Sequence, residues 1–390
     1  MVATVWVFFF GHKQRKERAM SRTLQFALLV VSLCFLPAAT ASAGALTDGM
    51  TMGKPGLESA GVLAFGPKGI LFVGDPQSAT IFAIDTQDRD GGSAQGTLEI
   101  PSIDEKVAAL LGTEPKQILI NDLAVNPASG RAYLAVARGL GPDATPVLLR
   151  VDRTGKISEF ALDNVKFSKM TLTNAPDPDE KDRRGQSKRR ESITDIGYVA
   201  GEVVVAGLSN EEFASKLRAI PFPFTKSNTG ASVEIYHGAH GKFETRSPVR
   251  TFAPFEINGQ PHLLAAYTCT PLVAFPISQL KPGSHVKGKT IAELGNRNRP
   301  LDMIVYHKAG KAHLLLSNSS RGVMKITTEG LDKAESITEH VSGGGTKGTA
   351  YDTIAELKGV EQLDRLDEGH ALILARSDSG KMNLETVALP

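Results

Sequence analysis

Short apolar runs separated by turn residues recur along most of the chain, at intervals of roughly 50–70 residues. Each unit begins with an apolar strand, turns at Gly or Asn, and continues into a more strongly apolar second strand. In chain order these pairs are VLAFGPKG-ILFVGD, DLAVNPASG-RAYLAVAR, DIGYVAG-EVVVAGLSN, FAPFEING-QPHLLAAY, DMIVYHKAG-KAHLLLSN and VEQLDRLDEG-HALILAR. Their length, their content of Val, Ile, Leu and Phe, and their Gly, Pro, Asn and Asp boundaries predict β-strands.

A third strand follows each pair, and most units add a fourth. The third strands are TIFAIDT, PVLLRVD, KLRAIPF, PLVAFPI, GVMKITT and KMNLETVAL, and the fourth are GTLEIP, KISEFAL, ASVEIYH, KTIAEL and ESITEHV. Helical periodicity is scarce and favours helices only at Asp104–Leu111 and Glu211–Leu217. Six four-stranded units predict an all-β fold, a six-bladed β-propeller, and we number its blades in chain order. A sandwich is the alternative, but a Gly turn recurring at one place in each unit favours the propeller.

The last unit ends after three strands, at Pro390. Residues around Thr47–Gly53 are the candidates for its missing outer strand. Closing the ring with the two chain ends in this way would hide the open sheet edges.

The first 43 residues have the pattern of an N-terminal extension and signal peptide. The apolar run TLQFALLVVSLCFL (23–36) follows basic residues and precedes the small-x-small pattern Ala41-Ser42-Ala43. A membrane anchor is the alternative, although the run is short for a bilayer span. We therefore expect cleavage before Gly44, a periplasmic or secreted protein without a further membrane span, and a single propeller domain over residues 44–390.

Composition excludes several classes of protein. Apolar residues make up 41% and charged residues 22% of the chain, as is typical of a folded protein. Beyond the leader, 39 basic residues face 41 acidic ones, which gives no electrostatic case for nucleic-acid binding. Of the two cysteines only Cys269 lies beyond the leader, which rules out a disulfide framework or a zinc site of several cysteines. We expect a monomer.

The repeat resembles propellers of the NHL, regucalcin/gluconolactonase and YVTN types. The first blade, GVLAFGPKGILFVGDPQSATIFAID, carries the clearest likeness. The gluconolactonase resemblance implies a central metal ion held by a Glu leading into blade 1 and by Asn or Asp leading into later blades. Glu58 and Asn121 occupy similar positions, whereas Asp195 and Asp302 lie one residue later, where that family has Gly.

Two sets of loops share one face of a propeller, because strand direction alternates within a blade. These are the loops that lead into the first strands, here called leading loops, and the turns between second and third strands. Both sets are polar in this sequence, whereas the turns of the opposite face are short. The candidate ligand-binding residues on this face are Arg138, Arg190, Asn210, Tyr267, Cys269, Arg297, Arg299, Asn318 and Arg321. Because guanidinium groups bind carboxylate and phosphate in a bidentate way, they indicate a small anionic ligand or an extracytoplasmic protein partner. Alternatively, the arginines neutralise nearby aspartates.

Three aspartates lie at the same register, just before the inner strand, in Asp122-Leu-Ala-Val, Asp195-Ile-Gly-Tyr and Asp302-Met-Ile-Val. With Glu58 and Asn121 they supply oxygen ligands for a central ion, Ca²⁺ or Zn²⁺, and hence for a metal-dependent hydrolase or lactonase. The other interpretation is that each aspartate caps a backbone turn.

A third candidate group is His237 and His240 with Cys269. Two histidines and a thiolate bind copper or zinc, and a thiolate beside a histidine is also a potential nucleophile. We expect His237 to lie too far from the axis to reach Cys269.

A charge-dense insertion at about 168–192, with the block PDPDEKDRRGQSKRRES, predicts a mobile flap on the same face. The chain has no Gly-x-Ser-x-Gly elbow, P-loop or His-Glu-x-x-His motif. The sequence therefore favours a non-catalytic binding propeller over a hydrolase, without excluding the latter.

Overall fold

A computed structural model describes residues 46–90 and 96–390. The predicted leader, residues 1–43, lies outside the described residues. Within the described ranges, no helix has both the length and the apolar character needed to cross a bilayer.

The described chain forms 28 strands and a single α-helix, α1 (Ile103–Leu110). The first fourteen strands are β1 (Thr51–Gly53), β2 (Leu63–Phe65), β3 (Ile70–Asp75), β4 (Thr80–Asp85), β5 (Glu99–Ile100), β6 (Ile118–Val125), β7 (Ala132–Arg138), β8 (Thr145–Val151), β9 (Ile157–Glu159), β10 (Val165–Thr171), β11 (Asp195–Val199), β12 (Glu202–Leu208), β13 (Ser215–Pro221) and β14 (Ala231–His237). The others are β15 (Lys242–Glu244), β16 (Thr251–Ile257), β17 (Gln260–Ala266), β18 (Pro271–Pro276), β19 (His285–Lys287), β20 (Lys289–Leu294), β21 (Pro300–Lys308), β22 (Lys311–Asn318), β23 (Val323–Thr327), β24 (Thr346–Gly348), β25 (Tyr351–Ile354), β26 (Val360–Arg365), β27 (His370–Arg376) and β28 (Met382–Ala388). Short 3₁₀ turns lie at Pro67–Gly69, Pro115–Gln117, Arg189–Glu191, Gly238–His240, Ile277–Gln279 and Ser342–Gly344.

These strands build six small sheets, the blades of a six-bladed propeller, which confirms the predicted fold class. From the inner strand outwards, the sheets are β2-β3-β4-β10-β1, β6-β7-β8-β9, β11-β12-β13-β14-β15, β16-β17-β18-β20-β24, β21-β22-β23-β25 and β26-β27-β28-β5. Pairing is antiparallel except where the short β19 runs parallel to β14. All the predicted first, second and third strands are confirmed.

Tight turns between first and second strands explain the recurring glycines. Ala200-Gly201, Asn258-Gly259 and Ala309-Gly310 each join two strands as a two-residue loop in which both residues have positive φ. A type I′ turn needs this conformation, and Gly adopts it without strain. These turns add only two residues each to the face of the ring on which they lie.

Chain order and ring order differ. The inner strand β2 of blade 1 contacts both β6 of blade 2 and β11 of blade 3, while β26 of blade 6 contacts β6. The blades therefore follow one another around the ring in the order 2, 1, 3, 4, 5, 6. After blade 2 the chain returns to blade 1, where β10 pairs with β4 as its fourth strand, before it passes to blade 3.

Packing between blades follows the same ring order. Six apolar clusters fill the six spaces between neighbouring blades. Between blades 1 and 2, for example, Leu71 and Phe82 pack with Tyr133 and Leu148. Burying one such side chain contributes about 1.5–3 kcal/mol, so contacts between blades stabilise the ring as a whole.

The prediction of the closing segment was wrong. Thr51–Gly53 pairs with β10 in blade 1, and Glu99–Ile100 supplies the outer strand of blade 6. The segment GTLEIP, predicted as the fourth strand of blade 1, thus closes the last blade. Because blade 6 lies beside blade 2, the chain leading into blade 2 reaches its outer edge most directly.

Three other predictions need correction. The segment ESITEHV forms no strand, and Tyr351–Ile354 is the outer strand of blade 5. The helix predicted at Glu211–Leu217 is absent, because Ser215–Pro221 forms an almost fully buried central strand. The inserted loop begins after β10, which extends to Thr171. The first helix prediction is confirmed by α1, whose Ile103 and Val107 pack between blades 2 and 6.

Candidate functional site

A cavity of about 880 Å³ occupies the centre of the ring. The six inner strands supply its wall, and several leading loops supply its rim. The leading loops and the turns between second and third strands lie together, as predicted: the Glu58 backbone N–H donates to Asp75 Oδ2 at 2.7 Å, and the Arg299 N–H donates to Ser319 Oγ at 3.0 Å. A concave cavity of this size suits a small molecule.

Four aspartates in this wall bridge neighbouring blades in the same way. Asp195 Oδ1 accepts the N–H of the next residue, Ile196, at 2.7 Å, and its Oδ2 accepts the N–H of Phe252 on the inner strand of blade 4 at 2.7 Å. The equivalent pairs of donors are Leu123 and Leu63 to Asp122, Met303 and Leu363 to Asp302, and Arg365 and Val125 to Asp364. All four aspartates lie within strands and not in turns, so the turn-capping interpretation is wrong. Each carboxylate instead binds its own strand to the inner strand of the adjacent blade.

Burial changes the acidity of these carboxyl groups. It raises the pKa of Asp195 to about 7 and that of Asp364 to about 6. The pKa values of Asp122 and Asp302 also lie well above the usual range, mainly through burial and further through the negative charges of the other channel aspartates. The wall therefore carries less negative charge near neutral pH than four ordinary aspartates would.

Arginines occupy the rim of the same cavity. Arg190, Arg250 and Arg299 line it from the leading loops of blades 3, 4 and 5. Arg250 Nη1 pairs with Glu191 Oε2 at 2.6 Å, and burial together with the positive charge of Arg299 lowers the Arg250 pKa. Arg190 and Arg299 are exposed, and neither guanidinium makes an ion pair or hydrogen bond with another residue in the described ranges. The rim thus presents positive charge above an acidic wall.

The oxygen ligands predicted for a central metal are only partly brought together. Asn121, Asp122, Asp195 and Asp302 line the cavity, whereas the exposed Glu58 is not part of its lining. The Asn121 amide is engaged in a bridge between blades, donating to the Ala60 carbonyl at 2.7 Å. The four aspartates do not form a group of three or more ligand atoms within 4.8 Å of one another.

The predicted ligand-binding residues fall into separate places. Arg190 and Arg299 line the channel. Arg297 and Arg321 line a smaller depression nearby, together with Asn296, where Arg321 Nη2 donates to the Asn296 carbonyl at 3.0 Å. Arg138 is exposed at the end of β7 and does not line the channel.

Three further predicted residues lie outside the channel. Tyr267 is 1% exposed within the apolar cluster between blades 3 and 4, so it cannot reach a ligand in the channel. Asn318 is buried and holds its own turn by donating to the Leu316 and Gly322 carbonyls at 3.1 and 3.2 Å. Asn210 is exposed in the turn after β12 and does not line the channel. Position in a turn alone did not distinguish side chains that line the channel from side chains that stabilise the turn.

Cys269 lies in another cluster, away from the channel lining. One ligand atom from each of Cys269, His237 and His240 lies within 4.8 Å of the others. The expectation that His237 could not reach Cys269 was wrong, because the end of β14 in blade 3 lies beside the turn that carries Cys269 in blade 4.

Sequence reasoning missed Asp364 and Arg250. Asp364 is followed by Arg365, whereas Asp122, Asp195 and Asp302 are each followed by an apolar residue, so the sequence pattern did not group Asp364 with them. Arg250 directly precedes β16, as Arg299 directly precedes β21, and this shared position was the available signal.

Comparisons with known proteins concern the fold alone. The sequence matches no protein family, and it matches no curated protein. An oxidoreductase from Thermus thermophilus described as a glucose dehydrogenase is similar in structure at 12% identity and a TM-score of 0.35, covering 87% of this chain and 100% of that chain. The PQQ-bound aldose sugar dehydrogenase of Streptomyces coelicolor gives 12% identity and a TM-score of 0.36, covering 86% and 96%. The extracellular region of plexin A4 gives 11% identity and a TM-score of 0.37, covering 87% of this chain and 46% of that chain. The resemblance to NHL or gluconolactonase propellers stays a prediction.

Proposed function

We propose that this protein is a binding propeller that takes a small anionic molecule, a carboxylate or a phosphate, into its central channel. The observation that carries the proposal is the set of Arg190, Arg250 and Arg299 at one rim of a cavity of about 880 Å³. Two of the three guanidinium groups have their donors free for a ligand. Guanidinium groups recognise carboxylate and phosphate through paired hydrogen bonds.

The wall below the rim restricts the ligand further. Carboxyl groups that are protonated donate hydrogen bonds, and those that are ionised accept them. The raised pKa values of Asp195 and Asp364 therefore suit a ligand whose anionic group faces the rim and whose hydroxyl or amine groups point into the channel. A concave channel of this volume suits a small molecule better than a protein partner. No observation among the described residues favours catalysis by a central metal ion.

Calorimetric titration with inorganic phosphate, succinate and citrate tests the proposal. At least one of these anions binds the wild-type protein, and Arg299→Gln weakens that binding by roughly tenfold or more, since a hydrogen bond to a charged group contributes about 1.5–3 kcal/mol. Arg297→Gln is the matched control, because Arg297 is exposed on the same loop but does not line the channel. Absence of binding for all three anions, or equal effects of the two substitutions, contradicts the proposal.

We further propose that the mature protein is exported and begins at Gly44, on the basis of the leader pattern. Mass spectrometry of the protein recovered from the extracytoplasmic fraction of its own cells tests this. A protein that retains residues 1–43 in the cytoplasm contradicts it.

A further inference from the structure

A cluster of side chains able to bind a metal ion lies between blades 3 and 4, outside the channel lining. His237 ends β14 and is 2% exposed. His240 lies in the 3₁₀ turn that follows, with 45% of its side chain exposed, and Cys269 lies in the turn between β17 and β18. Within the described ranges, these three residues form the only group of three or more His, Cys, Asp or Glu side chains whose ligand atoms all lie within 4.8 Å.

One carboxylate holds both histidine rings. Glu244 Oε2 contacts His237 Nδ1 at 3.0 Å, and Glu244 Oε1 contacts His240 Nδ1 at 2.7 Å. Ser247 Oγ donates to Glu244 Oε2 at 2.8 Å, which fixes the carboxylate in turn. The ring centroids of the two histidines are 3.8 Å apart. A carboxylate on one ring nitrogen is the usual outer partner of a metal-binding histidine, because it orients the ring and leaves the other nitrogen for the metal.

The other nitrogen of His237 has no partner. His237 Nε2 is buried and makes no hydrogen bond. Glu293 Oε2 is likewise buried without a hydrogen bond, although Glu293 Oε1 accepts the Gly238 N–H at 2.5 Å. Buried polar atoms are nearly always paired, so an unpaired one requires an explanation. A metal ion at His237 Nε2 would supply that explanation.

The Cys269 turn is held in an unusual conformation. Cys269 and Thr270 both have positive φ, 64° and 59°, which is rare for residues with a side chain. The backbone N–H of Cys269 donates to the Asn298 carbonyl oxygen at 2.7 Å, and this hydrogen bond fixes the turn. The turn thus positions a thiol beside two oriented imidazoles.

We infer that His237, His240 and Cys269 form a three-ligand site for one borderline-to-soft transition-metal ion, Zn²⁺ or copper. Imidazole and thiolate together favour these metals over Ca²⁺ or Mg²⁺. Three protein ligands leave a fourth position open, and the exposure of His240 gives that position access to solvent. The inference is independent of the anion-binding channel.

Metal titration of the purified full-length mature protein, stripped with chelator, tests this inference. The wild-type protein binds one equivalent of Co²⁺ with a thiolate-to-cobalt charge-transfer band, and either Zn²⁺ or Cu²⁺ displaces it. Competition between Zn²⁺ and copper, followed by this band and by the electron paramagnetic resonance of Cu²⁺, identifies the preferred ion.

Variants separate a built site from adventitious binding. Cys269→Ser abolishes the charge-transfer band, and Glu244→Gln weakens the metal affinity by about 10–100-fold. His240→Ala lowers affinity at least as much, and it is readily interpreted because this side chain is half exposed. His370→Ala is the matched control, since His370 is also 45% exposed and contacts a carboxylate, Asp367, through Nδ1 at 2.9 Å. Absence of the band in the wild-type protein, its survival in Cys269→Ser, or an equal loss in His370→Ala overturns the inference.

Discussion

The carboxylate of Asp302, on the inner strand of blade 5, accepts the backbone N–H of Leu363 on the inner strand of blade 6 at 2.8 Å. Asp122, Asp195 and Asp364 make the same kind of bridge at three other junctions between blades. A carboxylate that joins two separate sheets in the channel wall both stabilises the ring and shapes the central cavity.

Asp302→Ala should therefore destabilise the protein by about 1–3 kcal/mol, because the substitution leaves backbone N–H groups of Met303 and Leu363 without an acceptor. The free energy of unfolding in urea measures this effect. Asp378→Ala, at an exposed turn position, is the control and should change stability by less than about 0.5 kcal/mol. Equal stability of the two variants would mean that the bridge contributes nothing.

The raised pKa values predict a pH-dependent stability. An unfolded aspartate has a pKa of about 3.9, whereas Asp195 and Asp364 have folded pKa values of about 7 and about 6. Between these values the folded state binds protons that the unfolded state releases, so this contribution is complete below about pH 4 and is lost as the pH rises through about 6–7. Thermal unfolding at intervals from about pH 5 to about pH 8 should show a smaller dependence in Asp195→Asn than in the wild-type protein. An identical dependence of the unfolding temperature on pH in the two proteins would contradict this prediction.

The affinity of the channel for an anion should depend on the ionisation of Asp195 and Asp364. As Asp195 and Asp364 ionise, negative charge accumulates below the arginine rim and repels an anionic ligand. The affinity for the tightest-binding anion should therefore fall several-fold between about pH 5.5 and about pH 8, and Asp195→Asn should reduce this fall. Calorimetric titration across the range measures it, with each affinity corrected for the ionisation of the ligand itself, because phosphate, succinate and citrate all lose a proton within this range. An affinity that rises with pH is incompatible with the proposed site.

The ion pair between Arg250 and Glu191 should compete with the ligand. Glu191→Gln releases the Arg250 guanidinium, whose Nη1 contacts the Glu191 carboxylate at 2.6 Å, and removes one negative charge from the rim. We expect a several-fold gain in anion affinity, measured by the same titration. The exposed carboxylate of Glu339, which does not line the channel, provides a control as Glu339→Gln. A loss of affinity in Glu191→Gln would show that Glu191 itself contacts the ligand.

Two matched substitutions that shorten a side chain to alanine test how the ring is closed. Ile100→Ala should cost about 2–5 kcal/mol, because Ile100 is 4% exposed and pairs with Leu384 of the last blade. Met52→Ala, in the segment first expected to close the ring, should cost far less because Met52 is 57% exposed. Urea unfolding of both variants distinguishes them, and the reverse order of stability would contradict this topology.

The sequence pattern was sufficient for the blades but not for their arrangement. Gly201, Gly259 and Gly310 lie in turns whose conformation needs glycine, so the strand pairs could be recognised locally. The ring order could not, because it depends on contacts between blades that are distant in sequence. The fourth strand of blade 1, VKFSKMT, alternates polar and apolar residues weakly and follows blade 2 in the chain, so nothing local assigns it to blade 1.

The channel was predictable in part. The register of Asp122, Asp195 and Asp302 correctly indicated a common location, because each lies in a channel-lining segment of its inner strand. Tyr267 and Asn318 occupy polar-looking turns on the correct face, yet burial removes both from the channel. Side-chain direction in a turn depends on local backbone conformation, which residue type alone does not determine.

A crystal structure with the tightest-binding anion tests the central claim most directly. Our account predicts that the anion lies in the central channel within hydrogen-bonding distance of Arg299 and Arg190. An anion bound instead in the depression lined by Arg297 and Arg321, with the channel free of it, would contradict that account.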